Sequence, residues 1–160
     1  MHKNQTNACV KLLIMDMDGT LTDGKIYIGA GGEIMKAFDV KDGYGIRNML
    51  PKYGIIPIII TGRTSAIVEY RAKELGISHL YQGTADKAKC IQDISKALSV
   101  PFEQMACIGD DLNDLPMMQF CGIKGCPSDA DVRIKSICDF ICNAPGGHGA
   151  VREFIEWLIR

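Results

Sequence analysis

The chain has 160 residues, which suffice for one domain with a sizeable core but not for two ordinary ones. It is 47% hydrophobic and 23% charged with a net charge of −1, which argues against a broad nucleic-acid surface or a polybasic membrane patch. No apolar run is long enough to span a bilayer, and residues 1–9 lack the apolar centre of a signal peptide. We therefore expect a short flexible leader over residues 1–9 and a single cytoplasmic domain over residues 10–160.

The first apolar run, residues 10–15, predicts a buried strand that ends at Asp-Met-Asp-Gly-Thr, residues 16–20. Open α/β folds place their chemistry at the carboxyl ends of parallel strands. There Asp16 can attack a phosphoryl group as a nucleophile, with Asp18 as the acid/base two residues later. The motif alone is also consistent with an acidic turn, so the rest of the chain must decide.

The next segment, residues 24–38, contains two short β-like runs around a glycine-rich centre. This pattern predicts a β-hairpin that leaves the sheet directly after the acidic turn. Its place in the chain suits a flap beside the site, although a surface hairpin without a role has the same pattern.

The remainder of the chain alternates apolar runs with helical patterns. The sequence predicts further strands over residues 55–60, 104–108 and 138–142, and helices over about 42–52, 64–75, 85–98, 111–120 and 149–159. Continuous apolar strands separated by helices are typical of βαβ units. We therefore predict an α/β fold, a Rossmann-like doubly wound parallel sheet with a β-hairpin flap.

Two polar groups mark the middle of the chain. Thr61 begins Thr-Gly-Arg after the second long strand, where its hydroxyl can bind a phosphate oxygen and Gly62 permits close backbone approach. Lys87 lies at the start of a predicted helix, where its ammonium can neutralise phosphate charge. Either group alone has an ordinary explanation as a turn or a surface lysine.

A cluster of carboxylates follows the strand over residues 104–108, in Gly-Asp-Asp-Leu-Asn-Asp, residues 109–114. Carboxylates at strand ends suit Mg²⁺, which binds hard oxygen ligands. Alone, these acids could instead stabilise a helix N-terminus. Together with the earlier motifs, in this order, they indicate a site for phosphoryl chemistry.

The seven cysteines are scattered through apolar segments without a Cys-x-x-Cys spacing. We expect reduced thiols that serve as small apolar residues rather than a disulfide framework or a zinc site.

In this order the motifs resemble those of the haloacid-dehalogenase superfamily of aspartate-nucleophile phosphotransferases, and the resemblance covers residues 10–160. It implies that Asp16 is the nucleophile and Asp18 the general acid/base. It also implies that Thr61 and Lys87 hold the phosphoryl group.

The same resemblance implies a Mg²⁺ cofactor. The ion would be bound by Asp16, Asp110 and the backbone carbonyl of Asp18. Asp111 and Asp114 would be supporting carboxylates. This set agrees with the need of phosphoryl transfer for a nucleophile in line, a metal and fixed cations.

The intervals between the motifs, residues 19–60 and 62–86, leave no room for a large cap domain. Resemblance to the capless branch implies a homo-oligomer in which a neighbouring subunit covers the site, and specifically a tetramer centred on the hairpin. We expect the apolar hairpin residues to be buried in that assembly; they are Ile26, Ile28, Ile34 and Met35.

Longer strings narrow the resemblance to the 3-deoxy-D-manno-octulosonate 8-phosphate phosphatases of lipopolysaccharide biosynthesis. These strings are residues 38–47, 80–83 and 146–153. The residues at or near the sugar-acid substrate would be Lys41, Asp42, Gly43, Arg47, Arg63 and Arg71. Guanidinium groups suit the carboxylate and phosphate of such a substrate. For Arg71, an ion pair with Glu74 on the same helix is an equally good explanation.

Two alternatives stay open. The first is a phosphatase for nine-carbon acids, 2-keto-3-deoxy-nononate or N-acylneuraminate 9-phosphate, and both Arg63 and Glu74 favour the eight-carbon acid instead. The second is a non-catalytic assembly module of the kind found at the C-terminus of some cytidylyltransferases, against which the intact motifs argue. His148, between glycines near the proposed site, is a weaker candidate for substrate contact.

Overall fold

The computed structural model describes residues 10–160, so the predicted leader and Cys9 lie outside the described residues. The strands are β1 (Leu12–Met15), β2 (Tyr27–Gly29), β3 (Gly32–Met35), β4 (Ile56–Ile60), β5 (His79–Tyr81), β6 (Met105–Ile108), β7 (Ile123–Cys126) and β8 (Phe140–Ile141). The helices are α1 (Val40–Tyr44), α2 (Ala66–Leu75), α3 (Lys87–Leu98), α4 (Leu115–Met118), α5 (Val132–Lys135) and α6 (Ala150–Leu158). A π-helical turn (Gly45–Met49) and a 3-10 turn (Leu50–Tyr53) follow α1 directly.

Six strands form one parallel sheet in the order β5-β4-β1-β6-β7-β8, which confirms the predicted α/β fold. Strand β1 is central: Leu12 pairs with Ile56 of β4 on one side and with Met105 of β6 on the other. The chain runs outward through β4 and β5, then returns to β6 on the opposite side of β1. Such a change of direction leaves a crevice at the carboxyl ends of the central strands, where ligands bind in open α/β sheets.

Both faces of the sheet are covered, because successive strand residues point to opposite faces. From β1, Leu13 and Met15 pack in one core with Phe154 of α6, whereas Leu12 and Ile14 pack in the other with Ile91 of α3. All four β1 residues are fully buried. This two-sided burial explains why the strand sequence is continuously apolar rather than alternating.

Strand β7 was not predicted, and its sequence explains why. Lys124 and Gly125 interrupt its four residues, so they do not form an apolar run. Gly125 is nevertheless needed there, because a Cβ atom would lie 2.6 Å from the ring of Phe154. The requirement comes from packing of α6 on the sheet, which has no signature in the local sequence.

Two predicted helices were wrong in extent. The helix expected over residues 42–52 is divided into α1, the π-helical turn and the 3-10 turn, the last of which has Pro51 near its start. The helix expected over 111–120 is confined to α4, because residues 111–114 form a turn closed by a hydrogen bond from Asp114 N–H to the Asp111 carbonyl, at 2.9 Å. The strand expected over 138–142 is likewise reduced to β8.

Strands β2 and β3 form a separate antiparallel pair, the hairpin predicted over residues 24–38. Three of its apolar side chains are exposed on the isolated chain, with Ile28 70% exposed, Ile34 62% and Met35 49%, whereas Ile26 is half-buried. Among residues 10–160, no helix combines the length and the apolar character that crossing a bilayer requires.

Candidate active site

Asp16 lies at the carboxyl end of the central strand. Its backbone N–H donates to the Ile108 carbonyl at 3.1 Å, which fixes the end of β1 against β6. The residue is only 4% exposed. Burial, followed by the nearby charge of Asp114, raises the pKa of Asp16 well above its ordinary value. The ionised form of Asp16 therefore needs a neighbouring cation to stabilise its charge.

Lys87 supplies that cation. Its Nζ donates to Asp16 Oδ1 and to Asp114 Oδ1, each at 2.6 Å, and the three side chains are almost completely buried. The charges of Asp16 and Asp114 raise the pKa of Lys87 although burial opposes the shift. Helix α3 begins at Lys87, with Asp86 as its N-cap, and this helix start directs the lysine into the crevice.

Asp114 has both carboxylate oxygens occupied. Oδ1 accepts from Lys87, and Oδ2 accepts from the backbone N–H of Asp110 at 3.0 Å and of Asp111 at 3.3 Å. Asp114 is completely buried. It therefore holds both the lysine and the turn after β6. Asp111 is exposed, and its Oδ1 accepts from the Leu112 N–H at 2.7 Å within that turn.

Asp110 meets the loop that follows Asp16. Thr20 Oγ1 donates to Asp110 Oδ1 at 2.9 Å. Gly19, at φ +99°, passes so close that a Cβ atom there would lie 2.1 Å from Asp110 Oδ2. Only glycine allows both this backbone conformation and this approach. The glycine in the Asp-Met-Asp-Gly-Thr motif thus brings the two acidic loops together.

The acidic cluster fits a divalent cation. Asp16, Asp110 and Asp114 each place one carboxylate oxygen within 4.8 Å of the others. The cation paired with this cluster is Lys87, so three carboxylates face one ammonium group. Burial, followed by the charge of Asp114, raises the pKa of Asp110 to about 6. A surplus of hard oxygen donors in a buried site suits Mg²⁺. Asp114 already accepts hydrogen bonds from Lys87 and from two backbone N–H groups, so Asp16 and Asp110 have more oxygen lone pairs left for an ion.

Asp18 is contacted by the hairpin rather than by the acidic cluster. Lys36, one residue past β3, places its Nζ 2.5 Å from Asp18 Oδ1 and 2.9 Å from Glu33 Oε1. Glu33 also accepts a hydrogen bond from Ser65 Oγ, at the N-cap of α2. None of these three residues was predicted: a hairpin pattern does not show whether Glu33 and Lys36 meet a site, and Ser65 has the pattern of an ordinary helix N-cap.

Thr61 and Arg63 occupy the end of β4, beside β1. Thr61 is buried, and its backbone is fixed by hydrogen bonds with the Tyr81 carbonyl and the Thr84 N–H, at 2.9 and 3.0 Å. Arg63 is about half exposed, with Nε 3.7 Å from Asp18 Oδ2 and an NH2 group 3.6 Å from Glu33 Oε1. The structure thus brings Arg63 to Asp18.

The other predicted substrate residues gather around α1 and α2. Arg71 forms an ion pair with Glu74 at 2.7 Å, the alternative recognised from their spacing, and Arg47 donates to the Glu74 carbonyl. Arg47 and Arg71 line a groove of about 250 Å³ together with Gly43, where a Cβ atom would lie 2.5 Å from an Arg71 nitrogen. Lys41 is exposed in the first turn of α1.

Unlike the groove-lining residues around it, Asp42 is buried, with 1% of its surface exposed. Its Oδ1 accepts from the backbone N–H of Arg152 at 2.8 Å, in the first turn of α6. Burial raises the pKa of Asp42 to about 6. In this structure Asp42 joins α1 to the N-terminus of α6, where a carboxylate is stabilised by the helix dipole.

The glycine-rich loop before α6 supports the loop that follows Asp16. A Cβ atom on Gly146 would lie 1.8 Å from the Gly19 carbonyl oxygen, and Gly147 N–H donates to the Thr20 carbonyl at 3.1 Å. His148, on the same loop, is exposed. The glycines are therefore explained by packing against the Asp-Met-Asp-Gly-Thr loop.

Comparisons with known proteins agree with this geometry. A family model described as haloacid dehalogenase-like hydrolase matches residues 60–155. The 3-deoxy-D-manno-octulosonate 8-phosphate phosphatase of Escherichia coli K12 is 44% identical over 150 residues, which cover 94% of this chain and 79% of that protein.

Solved structures show the same similarity. The cobalt-bound deoxy-D-mannose-octulosonate 8-phosphate phosphatase of Haemophilus influenzae has a TM-score of 0.93 at 37% identity, covering 97% of this chain and 90% of that one. The octulosonate 8-phosphate phosphatase of Moraxella catarrhalis, in complex with magnesium, phosphate and KDO, has a TM-score of 0.93 at 42% identity, covering 99% and 92%. The chain therefore belongs to the haloacid dehalogenase-like hydrolases, within the 3-deoxy-D-manno-octulosonate 8-phosphate phosphatase family, and is a phosphoric monoester hydrolase.

Proposed function

We propose that this enzyme hydrolyses 3-deoxy-D-manno-octulosonate 8-phosphate to the free sugar acid and inorganic phosphate, with Mg²⁺ as its metal. The observation that carries the proposal is the 44% identity to an enzyme of that name over 94% of the chain. The cluster of buried Asp16 and Lys87 with half-buried Asp110 supports the chemistry. We also propose that the reaction takes place in the cytoplasm and serves lipopolysaccharide biosynthesis, as the resemblance implies.

In the proposed mechanism Asp16 is the nucleophile. One of its carboxylate oxygens attacks phosphorus, the bond from phosphorus to the sugar oxygen breaks, and that oxygen takes a proton from Asp18. The step leaves an aspartyl-phosphate on Asp16 and the free sugar acid. Water then attacks phosphorus and gives a proton to Asp18, which releases phosphate and restores the Asp16 carboxylate.

The remaining groups of the site would neutralise the charge of the phosphoryl group and position it. Lys87, whose ammonium lies between Asp16 and Asp114, would contact a phosphoryl oxygen beside the nucleophile, and Thr61 would add a hydroxyl donor. Asp16, Asp110 and the backbone carbonyl of Asp18 would hold Mg²⁺. When bound, the ion supplies neutralisation of phosphoryl charge.

Recognition of the sugar acid is assigned to the guanidinium groups. Arg63 lies beside Asp18, where the leaving group would depart, and its half-exposed fork suits a carboxylate or hydroxyl group. Arg47, Arg71 and Lys41 offer further positive charge around α1, with Gly43 leaving space for the Arg71 guanidinium. For Asp42 the burial favours a supporting role over direct substrate contact.

The test is phosphate release, with Mg²⁺ and after chelation by EDTA, from octulosonate 8-phosphate, nononate 9-phosphate and common sugar phosphates. We expect a clear preference for the eight-carbon acid and loss of turnover on chelation that added Mg²⁺ restores. A preference for the nine-carbon acid would keep the mechanism and change the substrate. No hydrolysis of any ester would favour the non-catalytic module.

We further propose that the hairpin forms the centre of a homotetramer. Exposed Ile28, Ile34 and Met35 give the flap an apolar outer surface that a second copy would cover. Replacing Ile28 and Ile34 by lysine is expected to dissociate the assembly in sedimentation velocity runs at micromolar concentration. Val132→Lys, at an equally exposed position on α5, is the matched control and should leave the assembly intact. A fully active wild-type monomer would refute the proposal.

A further inference from the structure

The inner side of the hairpin carries a buried ion-pair network. The Lys36 side chain is 1% exposed and touches Asp18 and Glu33, whose side chains are 19% and 13% exposed. Burial of an ammonium group is costly unless it is paired. Two carboxylates around one lysine meet that need, so the network holds the base of the hairpin to its own subunit.

The hairpin presents its side chains in an unusual distribution. Ile28, Ile34 and Met35 are exposed, whereas Glu33 and the Lys36 ammonium face the protein. A hairpin that only covers a core would show the reverse pattern. This distribution indicates that its inner side contacts a polar site, where Lys36 meets Asp18 and Glu33 meets Ser65 and Arg63.

The two oxygens of Asp18 have different surroundings. Oδ1 is held by Lys36 Nζ at 2.5 Å. Oδ2 has Arg63 Nε at 3.7 Å, which is beyond hydrogen-bond distance. Asp18 Oδ1 is therefore fixed by a hydrogen bond, while Asp18 Oδ2 is available to a substrate.

Lys36 is itself held in place from behind. Glu33 Oε1 lies 2.9 Å from its Nζ, and Glu33 Oε2 accepts from Ser65 Oγ at the start of α2. The order of contacts is Ser65, Glu33, Lys36, Asp18. This series of contacts links the start of α2 to the proposed acid/base through the hairpin.

We propose that Lys36, fixed by Glu33, is a positioning residue that directs Asp18 Oδ2 toward the leaving-group oxygen. The inference rests on the proposed function, in which Asp18 protonates that oxygen. The proton passes from Asp18 to the departing oxygen as its bond to phosphorus breaks, and Lys36 keeps its three protons throughout. The lysine also stabilises the carboxylate that remains on Asp18.

Dependence on the leaving group tests this role. Alkyl phosphates need protonation of a strongly basic leaving oxygen, whereas p-nitrophenyl phosphate does not. The value of kcat/KM reports the steps up to release of the leaving group, so it isolates the proton transfer. For Lys36→Met we expect kcat/KM to fall about 100-fold for octulosonate 8-phosphate and other alkyl esters, but at most about threefold for p-nitrophenyl phosphate.

Two further variants provide a substitute for Lys36→Met and a matched control. Lys36→Gln retains a donor and serves if the methionine variant folds poorly; it should show the same selective loss, to a smaller extent. Lys25→Met is the matched control, because Lys25 is a hairpin lysine that is 73% exposed and pairs only with Asp23 among the ion pairs described. It should leave kcat/KM for both classes of ester unchanged.

An equal fall for both classes of ester would show a merely structural role and overturn the inference, as would no fall for either. Wild-type enzyme that releases no phosphate from any ester would instead contradict the proposed function, and the positioning role with it.

Discussion

Asp16→Asn is expected to reduce phosphate release from any ester by about 10³-fold or more, because an amide cannot act as the nucleophile. The carbonyl oxygen of the asparagine can still accept from Lys87, which lies 2.6 Å from Asp16 Oδ1 in the native site. The substitution also removes one of three neighbouring carboxylates. The variant should therefore fold and melt at a temperature no lower than that of the wild type without metal.

The measurement is steady-state phosphate release alongside thermal unfolding followed by circular dichroism. Asp93→Asn is the control, since Asp93 is 57% exposed and pairs only with Lys89 among the ion pairs described. It should keep full activity. An Asp16→Asn enzyme with more than a tenth of wild-type activity would exclude Asp16 as the nucleophile.

Lys87→Met is expected to destabilise the metal-free protein by about 3–5 kcal/mol, because it leaves buried carboxylates without their cation. Lys87 is 3% exposed and bridges Asp16 and Asp114. Part of the loss should return on adding Mg²⁺, since a bound cation would compensate the same charges. Turnover should fall as well, because the variant lacks the ammonium group that we propose contacts the phosphoryl group.

Urea unfolding with and without Mg²⁺ measures this effect. Lys89→Met is a closely matched control, two residues later on the same helix, where the lysine is 71% exposed and pairs with Asp93. An exposed pair of this kind contributes about 0–1 kcal/mol. Equal stability of the two variants would contradict a structural and electrostatic role for Lys87.

The main elements of the site were predictable because its chemistry follows the ends of apolar strands. Asp16 follows β1, Thr61 follows β4, and Asp110 follows β6 after one glycine. Parallel strands bring such ends to one edge of a sheet, so the sequence order already implied proximity. Lys87 was predicted from a different signal, its place at the start of a helix.

What the sequence did not reveal depends on contacts between distant segments. Lys36 and Glu33 are ordinary residues of a hairpin until the hairpin is seen to fold back on Asp18. The burial of Asp42 against α6 joins positions that are 110 residues apart. Neither contact leaves a local pattern, since periodicity reports which residues share a face but not which partner covers it.

Trapping the covalent intermediate distinguishes nucleophilic attack by Asp16 from direct attack of water on the phosphate ester. Enzyme mixed with octulosonate 8-phosphate and Mg²⁺ would be quenched during turnover with borohydride, which reduces an aspartyl-phosphate to homoserine, and digested for peptide mass analysis. If Asp16 is the nucleophile, homoserine will form at position 16 in the presence of substrate and will be absent when substrate is omitted. Reduction at another carboxylate, or no reduction at any carboxylate in actively turning-over enzyme, would contradict it.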